Sequence, residues 1–463
     1  MKNLQINLLL LAMLGFAGCA TVETDFDFDW GDKPKNVILF IGDGMGVSTV
    51  TAARIFEGQQ RGNTGEENLL SFEHFPNVAL IKTYNTDLQV PDSAGTMSAI
   101  MTGEKTSAGV ISVNASVKRG DCASGLAGEL ETLLERSEDQ GIATGVISTA
   151  KITHATPAAT YAHAALRGWE SEAPEGCEDI ASQLVSFDHG NGIEIMLGGG
   201  RQGFYPNDVA DVEYSDKTGA RKDNRNLVAE WQQKGGNRTY VWNREQLLAA
   251  DPQTRLLGLF EPSHMQYDAD RDAEAEPSLA EMTGIAIERL SKEKNGYLLV
   301  IEAGRIDHAH HAANAYRAMM DTVAYAKAVS QAVEMTDEDE TLILVTADHS
   351  HTFTISGYPA RGNPILGKAR GPDGELIMDA EGHPYTTLGY ANGPGYVEEL
   401  EDLTEVDTEA PDYQQRGTFP GGSETHGGED VPAYALGVGA EKVRGVMEQN
   451  KLYDVMADVL FGQ

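Results

Sequence analysis

Cysteine is scarce, with three residues in 463. They form no Cys-x-x-Cys pair and join no cysteine–histidine cluster, which excludes a thiolate-bound metal and a dithiol redox centre. Positive charge is also in short supply: Lys plus Arg number 35 against 71 Asp plus Glu, a net charge of -36. Such a field repels nucleic acid and anionic lipid surfaces and excludes a basic nucleic-acid-binding face. No fixed-period repeat and no dinucleotide-binding glycine fingerprint occur. What remains, 41% hydrophobic and 23% charged residues, is the balance of an ordinary globular chain. It excludes a disordered tail, a fibrous protein and a polytopic membrane protein, and its length suits one large α/β core with insertions.

The N-terminus reads as an export signal. Lys2 precedes a leucine-rich apolar run from Ile6 to Ala17, too short to span a bilayer comfortably. It ends in Phe16-Ala17-Gly18-Cys19, and small residues before a cysteine resemble the bacterial lipobox, with Phe16 where an aliphatic residue is usual. The expectation is a lipoprotein-type signal peptide over 1–18, lipidation of Cys19, an acidic tether over 19–34 and one domain over 35–463. Ordinary cleavage nearby, releasing a soluble protein, is the alternative. Either way the chain is exported, to the periplasm, the outer membrane or the cell surface. In an oxidising compartment Cys122 and Cys177 are an even pair, either disulfide-bonded or two buried thiols.

Apolar runs rich in β-branched residues, at 36–41, 143–147, 296–301 and 341–345, read as buried strands. Helical patterns lie between them, for example at 126–140 and 312–334. The alternation predicts an α/β fold: a doubly wound, largely parallel central sheet flanked by helices. Residues 356–422, rich in glycine, proline and acids, read as an inserted subdomain of loops and short strands. Residues 198–224 form another polar excursion.

Ligands of such folds gather beyond the carboxyl ends of the strands. Here the strand patterns deliver Asp43 in Gly-Asp-Gly, Glu302, and Asp348-His349 to that edge. Asp307 and His311 stand four apart in RIDHAHH, so on a helix they share one face. Ser93 follows Pro91-Asp92 at a helix start, where free N–H groups favour an alkoxide and a phosphate. A plain N-cap, Ser93 or Asp92, is the bland alternative. Carboxylates with imidazoles and no thiolate suit zinc, while Glu302 and a nearby Thr156 are hard oxygen ligands that suit magnesium. Two close metals beside a serine nucleophile imply phosphoryl transfer.

Taken in order, the segments NVILFIGDGMG, PDSAGTMSA, THATPAATYAH, EAGRIDHAHHAAN, VTADHSH and GGSETHGGEDVPAYA resemble the alkaline phosphatases, and the resemblance runs from about Pro34 to the C-terminus. It implies a phosphomonoester hydrolase with two zinc ions and one magnesium ion per subunit. Asp307, His311 and His426 would bind the first zinc. Asp43, Asp348 and His349 would bind the second, completed by Ser93, the residue that becomes phosphoserine. Asp43, Thr156 and Glu302 would hold magnesium, and Arg167 would clamp the phosphate. His154 and His308 stand where enterobacterial members carry aspartate and lysine, which removes an acid from behind the magnesium ligands. The spacing of Cys122 and Cys177 resembles the animal-type disulfide, and 356–422 corresponds to the crown of a homodimer. Segments matching a calcium site of animal members hold Glu213, the Phe260 carbonyl, Glu261 and Glu276. A solvated acidic loop is the alternative there. Small phosphomonoesters are the implied substrates. The rivals are a phosphodiesterase or sulfatase of the same superfamily, and a metal- or phosphate-binding lipoprotein without turnover.

Overall fold

Val37 to Ile41 carry no polar residue at alternate positions, so both faces of that strand must be covered. In the computed structural model, which describes residues 35–462, all five are fully buried. Chain order gives β1 (Asn36–Gly42), β2 (Asn77–Lys82), β3 (Ala143–Lys151), β4 (Ile195–Gly199), β5 (Arg238–Val241), β6 (Arg255–Leu259), β7 (Tyr297–Ala303) and β8 (Thr341–Ala347). Shorter strands follow: β9 (Ser350–His351), β10 (Phe353–Ile355), β11 (Leu388–Gly393), β12 (Gly417–Pro420) and β13 (His426–Gly427). The last two are β14 (Val431–Gly437) and β15 (Gly445–Glu448).

Ten strands make one sheet in the order β15-β2-β14-β8-β1-β7-β3-β4-β6-β5. Only β14 runs against the rest, pairing antiparallel with both β2 and β8. The largely parallel sheet expected from the sequence is therefore present, and helices cover it. The registers align the central strands: Gly42 of β1 is level with Ala303 of β7 and with Ala347 of β8. The residues that follow these three strands thus emerge at one edge.

One helix expectation is corrected. Residues 126–140 are not a single helix; a short helix Cys122–Ala127 ends, Val113 bridges to Glu129, and a second helix Leu133–Asp139 begins. Its start is fixed by a capping box, in which Thr132 accepts from the Glu135 N–H and Glu135 accepts from the Thr132 N–H. That local signal overrides the helical periodicity. The longer pattern forms the helix Ala315–Met335, started by Asn314, whose side chain accepts from the Arg317 N–H.

Cys122 and Cys177 are bonded, closing a sequence separation of 55 residues. Loop-closure entropy makes a bridge of that span worth about 4 kcal/mol. Residues 356–422 hold β11 and β12; β11 pairs with β10 on one side and with β12 on the other in a three-stranded sheet, and isolated bridges accompany them. A two-stranded ribbon sets His426 of β13 opposite His351 of β9. No helix among the described residues is long and apolar enough to cross a membrane. The expected signal peptide, Cys19 and the tether lie outside the described residues.

Candidate active site

Four neighbouring central strands supply the site. Asp43 follows β1, Asp348 and His349 follow β8, Glu302 lies near the end of β7, and His154 comes shortly after β3. The helix Arg305–His311 begins directly after β7 and carries Asp307 and His311 on one face, as the four-residue spacing required. Ser93 opens the helix Ser93–Thr102. The structure decides the capping question: Asp92 is the cap and its carboxylate accepts from the Gly95 N–H, leaving the Ser93 hydroxyl free of that duty.

Asp307, His311 and His426 converge. His311 Nε2 lies 3.3 Å and His426 Nε2 3.4 Å from Asp307 Oδ1, and the two nitrogens are 3.2 Å apart. Ligands about 2.0–2.1 Å from a tetrahedral zinc stand about 3.3 Å from one another. Each imidazole is oriented from behind: His311 Nδ1 donates to the Glu424 carbonyl at 2.7 Å and His426 Nδ1 to the Pro91 carbonyl at 2.8 Å. That turns both Nε2 lone pairs inward. Burial pushes the Asp307 carboxyl up, but the imidazoles of His311, His351 and His426 outweigh it and hold it well below the usual range.

A second set has the same spacing. His349 Nε2 is 3.4 Å from Asp43 Oδ1, 3.3 Å from Asp348 Oδ2 and 3.1 Å from Ser93 Oγ. Burial, then the charge of His426, lowers His349 far below its usual pKa, which keeps the ring neutral and able to ligate. The two sets adjoin, with the His349 and His426 rings stacked at 3.6 Å.

A third set surrounds the other side of Asp43. Asp43, His154 and Glu302 present ligand atoms within 4.8 Å of one another. Both Asp43 oxygens, Glu302 Oε1, His154 Nδ1 and Thr156 Oγ1 are buried and take part in no hydrogen bond. Orphaned buried polar atoms at such density need a partner. Burial, reinforced by the Asp348, Asp307 and Glu302 carboxylates, drives the Asp43 pKa far upward, and burial pushes Glu302 up to about 7. A cation relieves that repulsion, so the donor sets fit metal ions bound by nitrogen and oxygen.

Arg167 borders the site. Its Nη1 donates to Asp92 Oδ2 at 3.1 Å and its Nη2 sits 3.1 Å from His154 Nε2. Burial favours protonation of Asp92, yet Arg167 and the Gly95 and Gly109 N–H groups overcome it and hold the pKa low. His308 packs edge-on to His154 with centroids 5.4 Å apart and faces Arg305. The segments considered for calcium end up with protein partners. Glu213 pairs with Arg201, Glu261 accepts from Tyr214 and Gln266, and Glu276 accepts from the Gln266 N–H.

Three histidines were given no role by the sequence reading: His264, His310, which lies in the RIDHAHH segment, and His351. His264 packs against His308 with centroids 4.1 Å apart, and His310 bridges Thr49 and Tyr390. His351 contacts Asp307, and with it Glu424 enters the site. His351 was visible as the last residue of TADHSH. Glu424 stood two residues before His426 in the GGSETHGGEDVPAYA segment, but nothing in its spacing pointed to His351.

The family model for alkaline phosphatase matches residues 34–461. The tissue-nonspecific alkaline phosphatase isozyme of Gallus gallus is 45% identical over 91% of this chain and 84% of its own length. That of Homo sapiens is 44% identical, covering 91% and 83%, and an alkaline phosphatase of Gadus morhua is 43% identical, covering 92% and 91%. Among solved structures, the alkaline phosphatase of Thermus thermophilus shares the fold at a TM-score of 0.67 and 23% identity, over 93% of this chain and 92% of that one. The enzyme of the Antarctic bacterium TAB5 does so at 0.65 and 23%, over 93% and 98%.

Proposed function

The chain belongs to the alkaline phosphatase family, metal-dependent hydrolases of phosphomonoesters, and from that premise we propose that it acts through a phosphoserine on Ser93. The observation that carries this reading is the position of Ser93 Oγ, 3.1 Å from His349 Nε2 in a set of donors spaced as zinc ligands are. Asp307, His311 and His426 are assigned to one zinc, Asp43, Asp348 and His349 to the other, and Asp43, Thr156 and Glu302 to magnesium. When bound, these ions supply positive charge to the phosphoryl oxygens and lower the pKa of the serine hydroxyl.

The chain's own groups do the rest. Asp92 caps the helix and so leaves Ser93 Oγ free to attack phosphorus in line. As the Oγ–P bond forms, the P–O bond to the ester alcohol breaks, and the proton given up by the Ser93 hydroxyl passes through solvent water to the departing alkoxide. Arg167 has spent two of its five N–H donors on Asp92 and His154 and offers the others to phosphoryl oxygens. Water then attacks the phosphoserine on the opposite side, the P–Oγ bond breaks, and inorganic phosphate leaves with Ser93 restored. Positioning and charge neutralisation dominate, as phosphoryl transfer requires.

The same reading places the enzyme outside the cytoplasm, tethered by a lipidated Cys19, and pairs it as a homodimer through residues 356–422. The test of function is p-nitrophenyl phosphate hydrolysis at alkaline pH before and after chelation, with zinc and magnesium restored and the corresponding diester alongside. Monoester turnover lost on chelation and rescued by the ions is expected. A folded, metal-loaded protein that leaves the monoester intact would sink the reading, and diester cleavage would point to the superfamily rival.

A further inference from the structure

We propose that Glu424 is a positioning residue for the Asp307 metal set, acting through His351 and His311 to orient the side chains of that set; the inference rests on the metal-dependent reading above.

Three imidazole nitrogens surround Asp307 Oδ1, and they are not equivalent. His311 and His426 stand 3.3 and 3.4 Å away, the spacing of two ligands of one ion. His351 Nε2 stands 2.9 Å away, a hydrogen-bond length. His351 nevertheless lies among donors close enough to compete, since its ligand atom falls within 4.8 Å of those of Asp307, His349 and His426. Something must fix the orientation of its ring.

Glu424 does so. Its Oε2 lies 2.5 Å from His351 Nδ1, on the far side of the ring from Asp307. Its Oε1 accepts from the Thr352 N–H at 2.7 Å and the Thr352 hydroxyl at 2.6 Å, so the carboxylate plane is itself fixed. Both His351 and Glu424 are 1% exposed. The backbone of Glu424 serves the same set: its N–H donates to the His311 carbonyl at 2.9 Å and its carbonyl accepts from His311 Nδ1 at 2.7 Å. Pairing of β13 with β9 sets His426, two residues on, opposite His351. One residue thus aims His311, pins His351 to Asp307 and neighbours the strand that carries His426. Without the Glu424 side chain, the His351 ring is free to turn and release Asp307, and the carboxylate loses the neighbour that orients it.

Zinc binding to the full chain, measured by competition with a chromophoric chelator and accompanied by Tm, tests this. Glu424→Ala is expected to stay folded, to weaken one zinc site by about 10–100-fold and to leave the other unchanged, as outer partners of metal ligands typically do. Glu424→Gln should restore binding, because its amide N–H can donate to His351 Nδ1 while its oxygen accepts from Thr352. His351→Ala should reproduce the Glu424→Ala loss, and the double variant should be no worse than either single one. If Glu424→Ala fails to fold, His351→Ala must still show the one-site loss. Wild-type affinity at both sites in Glu424→Ala, no rescue by glutamine, or additive losses would overturn the proposal. A wild-type chain that binds no zinc at all would instead overturn the reading beneath it.

Discussion

On the proposed reading, a single hydroxyl and a single guanidinium carry the covalent step. Because Asp92 and not Ser93 caps the helix, Ser93→Ala removes the nucleophile without removing the cap. The helix should persist, turnover should fall by roughly 10³-fold or more, and acid-quenched labelling with a radioactive phosphomonoester should find no phosphoenzyme. Normal labelling would reassign the nucleophile. Arg167 is held in a fixed plane by Asp92 and His154. Arg167→Lys keeps the charge but loses the fork, so kcat/KM should fall roughly 10–100-fold, the equivalent of the charged hydrogen bonds given up. A change of less than twofold would show that the fork does not engage phosphate.

Elements explain why those side chains meet, and also where sequence reasoning stops. Asp43, Glu302 and Asp348 were legible because each stands at or beside the end of an apolar run, and parallel register brings such ends level. The Asp307–His311 face followed from helical spacing. Glu424 was not legible, because its partners His351 and Thr352 lie more than seventy positions away and meet it only through the pairing of β9 with β13. The break in the helical pattern at 126–140 was lost to periodicity while the Thr132 capping box stood in plain view. The turn after β1 gives a sharper test. Gly44 has φ +69, and a Cβ there would lie 2.3 Å from His351 Nε2. Gly44→Ala should therefore destabilise the fold by more than about 1 kcal/mol, from the left-handed backbone alone, and also weaken zinc binding by displacing His351. Unchanged Tm and zinc affinity would count against the tight turn.

Buried acid on the helix Ala315–Met335 adds a pH dependence. Asp321 is pushed up to about 8, chiefly by burial, then by Asp268 and Asp270, with Arg305 opposing. Its carboxylate accepts from the Asp268 N–H at 3.3 Å. The folded pKa is raised above the unfolded value of about 3.9, so the proton's stabilising contribution is complete below that value and is lost as pH rises towards 8. The loss can reach about 1.4 kcal/mol per pH unit. Asp321→Asn has no proton to lose. The stability of wild type relative to this variant should decline from pH 5 to pH 8, followed by urea unfolding; parallel curves would mean that Asp321 titrates normally.

The whole molecule presents a contradiction of sign. Its net charge is -36, yet it belongs to a family whose substrates are dianions. At long range the surface repels them, while near the site Arg167 and the bound ions must reverse the potential. The two fields differ in reach. Salt at about 0.1 M screens exposed charges beyond about 10 Å, which removes most of the surface repulsion. Contacts between phosphate, the arginine and the metal centre span a few ångströms and are screened much less. Moderate salt should therefore raise kcat/KM for a phosphomonoester dianion and leave kcat nearly constant, since capture and not chemistry feels the distant field. The effect should shrink for a substrate whose leaving group carries a compensating positive charge. A steep fall in kcat/KM with salt, with secondary structure and metal content intact, would mean that the local positive field extends far enough to steer substrates and that the acidic surface is turned away from their path.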